Sequence, residues 1–308
     1  MAQDNNPRDA LYNRIKNEYD SATCWPFHLG SNKLTEFVQE QTDSSLNSLT
    51  DRIVTINDLA RNTGAHTRSE EVSFLYHGDL KFDSNDTLNG ADAQGYTFLA
   101  LAEDYLKAGQ PTEQIEFFYI RAVDTSCSGE LNYKNETFMQ KRDKPGFNTR
   151  RVISHATDNN FYTDALFEAM FFNIDFKDIN GVNTNYGFEE MMHYARDIGK
   201  KNPKEIVENL MYLTEIRWAR QRIEPDPEKP LHIKERGFLH HSDIAGHEYE
   251  FKIRIYHSAK RCGLPTEGVL ETLEAGLEKA KSSAQYPGSG KITDQFRLTL
   301  LKQLKADQ

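Results

Sequence analysis

Apolar side chains recur at threes and fours near the start of the chain. Leu11, Ile15 and Tyr19 fall on one face of a helix expected over residues 10–19. Leu46, Leu49, Ile53, Ile56 and Leu59 repeat the pattern, and Asn62-Thr63-Gly64 supplies the turn chemistry that stops it. The character then changes. Val72-Ser73-Phe74-Leu75-Tyr76 and Tyr96-Thr97-Phe98-Leu99 are short and rich in β-forming side chains, so both predict strands. Residues 79–95 between them are polar, with turn signals at Asn85-Asp86 and Asn89-Gly90. Residues 100–107 predict a short helix closed by Gly109. Ile115-Glu116-Phe117-Phe118-Tyr119-Ile120-Arg121-Ala122-Val123 predicts the clearest strand. Glu136-Thr137-Phe138-Met139 and, after a Lys144-Pro145-Gly146 turn, Arg151-Val152-Ile153 predict two more.

The second half reads as helices over residues 164–172, 188–198, 203–222, 248–262, 266–282 and 293–304. Pro203 suits a first helical turn, and Glu224-Pro225-Asp226-Pro227-Glu228-Lys229-Pro230 forms a stiff charged connector. Strands grouped in the middle, rather than alternating with helices, predict an α+β fold. The expected division is residues 1–158 and an all-helical part, residues 159–308.

The length, 308 residues, allows one large domain or two ordinary ones. The net charge of -10 argues against general nucleic-acid binding, because a phosphate backbone needs a basic face. Met1-Ala2-Gln3-Asp4 has neither a basic region nor an apolar core, so no secretory signal peptide is expected. No apolar run approaches the ~18 residues of a spanning helix. Cys24, Cys127 and Cys262 are too scattered for a disulfide framework or a paired-cysteine metal site, which favours a reducing compartment.

The candidate chemistry lies in the middle. Tyr76-His77-Gly78 ends one expected strand, and Gly95-Tyr96-Thr97-Phe98 opens the next. Tyr105 follows Tyr96 by nine residues, and Glu136 comes after a long strand and a loop. This order resembles the diphtheria-toxin and poly-ADP-ribose-polymerase branch of the ADP-ribosyltransferases, marked by His, Tyr and Glu. The resemblance covers residues 72–154. It implies a split antiparallel β-sheet core, with N-terminal helices and a helical C-terminal domain that docks substrate. It also implies NAD+ as co-substrate. His77 would then hydrogen-bond the ribose, with Gly78 beside it. Tyr96 and Tyr105 would sandwich the nicotinamide, Thr97 would support the glutamate, and Glu136 would be the catalytic carboxylate. Cleaving the nicotinamide–ribose bond passes through an oxocarbenium-like state, which needs such a carboxylate.

Lys134, two positions before Glu136, departs from the acid or amide of arginine-modifying relatives, and Glu130 competes for the catalytic role. The implied activity is mono-ADP-ribosylation of a protein, and the implied target is a host protein. The implied setting is that of a bacterial effector or toxin, cytoplasmic or secreted without a classical leader, with no membrane partner. Two other classes stay open. His232, His240, His241, His247 and His257, with Asp243 and Glu248, could ligate a metal for hydrolysis. The helical half could instead serve a non-catalytic interaction protein. There the aromatic cluster Phe161-Tyr162, Phe167 and Phe171-Phe172 would be core or contact surface. Cys24, near His28, would be the nucleophile of a third enzyme class, activated by a distant histidine.

Overall fold

The computed structural model describes residues 6–21, 31–41, 44–62, 90–131, 147–173, 186–222, 241–282 and 292–305. They are helical almost throughout, and the chain separates into two compact units, Met1–Asn183 and Thr184–Gln308.

The first unit opens with α1 (Pro7–Ser21), α2 (Ser31–Gln39), a 3-10 turn (Ser44–Leu46) and α3 (Asn47–Asn62). Leu11 and Ile15 on α1, and Leu49, Ile53, Ile56 and Leu59 on α3, are buried, as their spacing predicts. α4 (Gly90–Lys107) lies against α2, α3 and α5 (Thr112–Leu131). α4 and α5 form a helical hairpin. Gly109, at φ +65°, ends α4: its N–H bonds to Leu106 O and that of Gln110 to Tyr105 O, pairing two carbonyls that the helix end leaves open. α6 (Thr149–Asp158) and α7 (Asp164–Asn173) pack on α5. Asn148 caps α6 in an extended conformation, its side chain accepting from Arg151 N.

These elements overturn the α+β expectation and the split antiparallel β-sheet. Tyr96 to Leu99 lies inside α4, Ile115 to Val123 inside α5, and Arg151 to Ile153 inside α6. Each has a physical reason. In α5, Ile115, Phe118, Tyr119, Ala122 and Val123 are buried together with Thr125, a helical spacing that the β-forming side chains obscured. In α4 every residue from Ala93 to Glu103 is buried, so the segment carries no polar face and hence no period to display. In α6, Thr149, Val152, Ile153 and Ala156 form one buried face behind the Asn148 cap. The strands expected at residues 72–76 and 136–139 lie outside the described residues.

The second unit contains α8 (Tyr186–His193), which continues as a π-helical turn (Tyr194–Ile198), and α9 (Pro203–Arg222). α10 (His241–Arg261) packs on α8, α9, α11 (Val269–Lys279) and α12 (Asp294–Leu304). Its Ile253 and Tyr256 meet Leu273, Leu277, Leu300 and Leu304 in one apolar cluster. Among the described residues the only strand pairing is a two-residue parallel contact, Lys281–Ser282 with Ile292–Thr293.

Candidate functional site

Tyr96, Thr97 and Tyr105 all sit on α4, and all three are core residues. Tyr96 is 3% exposed and meets Phe147 edge-on at 5.0 Å. Thr97 is fully buried, and its hydroxyl donates back to Ala93 O at 2.8 Å. Tyr105 is fully buried, edge-on to Phe118 at 4.7 Å, with its hydroxyl donating to Arg8 O at 2.5 Å. Burial holds that phenol well above its usual titration range. At about 100° per residue, a nine-residue separation turns the two tyrosines to opposite sides of one helix. Their neighbours agree: Phe147 on one side, Phe118 and the start of α1 on the other. Two rings so placed cannot close on the two faces of one nicotinamide. Gly95 also has a packing role, since a Cβ there would stand 2.4 Å from the Phe147 ring. Glu130 lies in the last turn of α5. His77, Gly78 and Glu136 lie outside the described residues.

The histidine-rich region divides similarly. His232 and His240 lie outside the described residues, while His241, His247 and His257 fall on α10. His257 is buried, with Nε2 2.9 Å from Gln303 O on α12, so its ring N–H ties two helices together. Glu248 forms an ion pair with Lys252 at 3.0 Å. Glu248 and His257 are again nine residues apart and leave α10 on opposite sides. Among the described residues no group of three or more His, Cys, Asp or Glu side chains is placed to hold a metal ion. Phe161, Phe167 and Phe171 are core residues of the first unit. Cys24 lies outside the described residues.

The structure assembles two polar clusters that the sequence reading missed. The first surrounds Glu103, a carboxylate 1% exposed near the C-terminal end of α4. Arg52 from α3 and Lys107 from α4 each reach it at 2.7 Å. His155 from α6 presents Nε2 to Glu103 at 3.5 Å, an electrostatic contact without the alignment of a full hydrogen bond. On the other side of the ring, Nδ1 is 3.1 Å from the Tyr119 hydroxyl of α5, and the Asn159 amide lies 3.4 Å away. Two donors at Nδ1 assign the proton of the neutral ring to Nε2, facing the carboxylate. Burial pushes the Glu103 carboxyl up, but His155, Lys107 and Arg52 outweigh it and hold the group well below the usual carboxylate range.

The Tyr–His–Glu order resembles a proton relay in composition only. Tyr119 is fully buried and stacks on Phe161 at 5.0 Å, so its hydroxyl meets protein on every side. The cluster joins α3, α4, α5 and α6. The sequence carried only a faint signal: Glu103, with Asp104 beside it, closes the apolar run Phe98-Leu99-Ala100-Leu101-Ala102. Such a group remains charged in a core only when partners surround it.

The second cluster is at the surface of the second unit. Cys262, just past α10, places Sγ 3.6 Å from His193 Nε2. Arg196 Nη2, from the π-helical turn, lies 2.8 Å from His193 Nδ1 and can only donate, which leaves the ring proton on Nε2. Arg196 is also bound to Asp197, and Arg261 to Glu189 at 2.6 Å. Burial and Glu189 raise the Cys262 thiol above its usual range, against a smaller pull from Arg196 and Arg261. This imidazole is therefore arranged as a donor to sulfur and not as a base.

No protein-family model, curated protein or solved structure matches the chain. No helix among the described residues is long and apolar enough to cross a membrane.

Proposed function

We propose that this chain works by surface contact, as a helical interaction protein whose first unit engages a basic protein partner. The supporting observation is the segregation of charge. The first unit carries 28 Asp and Glu against 17 Lys and Arg, and the second carries 19 against 20, so the whole acid excess belongs to the first. Glu36 on α2, Asp51 on α3 and Glu168 on α7 are exposed members of that excess. An unbalanced field of this kind speeds encounter with oppositely charged surfaces. The burial of Tyr96 and Tyr105 supports the same reading, since it uses as core the rings that an NAD+ site needs as walls.

The test has two arms. Cross-linking in extract should join the full chain to basic proteins. Glu36→Gln, Asp51→Asn and Glu168→Gln combined should lower that yield several-fold, whereas Glu271→Gln with Glu274→Gln in the second unit should not. In the second arm the full chain is incubated with labelled NAD+. Release of nicotinamide that disappears in Glu136→Ala would sink the surface-contact reading and restore ADP-ribosyl transfer as the activity.

A further inference from the structure

We draw no further inference here: the strongest candidate, the Cys262–His193 pair where α8 and its π-helical extension lie against the end of α10, is a single cysteine whose imidazole neighbour is already engaged by Arg196, and nothing beyond the cluster's own hydrogen bonds points to a ligand.

Discussion

Single residues decide how α4 sits. Gly95 has no room for a methyl group, because the nearest atoms belong to the buried ring of Phe147. Gly95→Ala should therefore lower stability by about 1–3 kcal/mol, the usual range for overpacking a filled core, despite alanine's better helix propensity. Urea unfolding reads this directly, and a gain in stability would mean that Phe147 packs elsewhere. Tyr105→Phe keeps the ring and removes one hydrogen bond to Arg8 O, leaving that carbonyl one partner short. It should cost about 1 kcal/mol. If Tyr105 instead held nicotinamide, stability would not change.

Glu103 is a buried residue through which acid pH acts on stability. Its folded-state titration lies well below the usual carboxylate range. As pH falls, the unfolded chain takes up the proton first, so the contribution of Glu103 is fully present above about pH 5 and is lost through and below that value. Glu103→Gln leaves Arg52, Lys107 and His155 facing a neutral amide. Breaking a buried pair from one side costs about 3–5 kcal/mol, and this case belongs at the lower end because Lys107 remains half in water. The variant should be less stable at pH 7 and show a shallower loss between pH 5 and pH 3. Equal acid slopes for variant and parent would show that the carboxylate is not specially held. Which partners surround Glu103 was not legible in the sequence, since Arg52 and His155 are remote from it along the chain. The acid pair Glu103-Asp104 at the end of an apolar run was legible, but not which of the two is buried.

At the scale of elements, side-chain type and periodicity disagreed, and periodicity was right. Helices whose one face is apolar and other polar, such as α1 and α3, are evident from the positions of Leu11, Ile15, Leu49 and Ile53. α5 has the same i, i+3, i+4 spacing, but its Ile, Phe, Tyr and Val side chains carry β-preference, which is a weak and context-dependent quantity. α4 is a different failure, because burial on all sides removes the contrast from which a period is read. The stop at Gly109 was legible because it rests on one residue's access to positive φ. The start of α6 was equally local. Asn148 accepts from Arg151 N, so Asn148→Ala should cost about 1 kcal/mol. Were residues 151–153 a strand, no orphan helix N–H would need that side chain, and the substitution would be neutral in a thermal melt.

At the scale of the whole molecule, charge separates the two units in a way that can be measured independently of any partner. The first unit's acid excess repels itself, whereas the second is close to neutral. Added salt shortens the Debye length from about 30 Å at 0.01 M to about 8 Å at 0.15 M. Exposed carboxylates such as Glu36, Asp51 and Glu168 are screened from one another over that range. The Glu103 cluster, out of water, is screened much less, so its attraction persists while the surface repulsion fades. Amide exchange in α4 and α5 should therefore slow when salt rises from 0.01 to 0.15 M, and exchange in α10 should change little. Binding through the acidic surface has the opposite sign, because the same screening weakens attraction to a basic partner. Salt that stabilises the first unit while loosening its complex separates this reading from apolar docking, in which both quantities would hold or rise together.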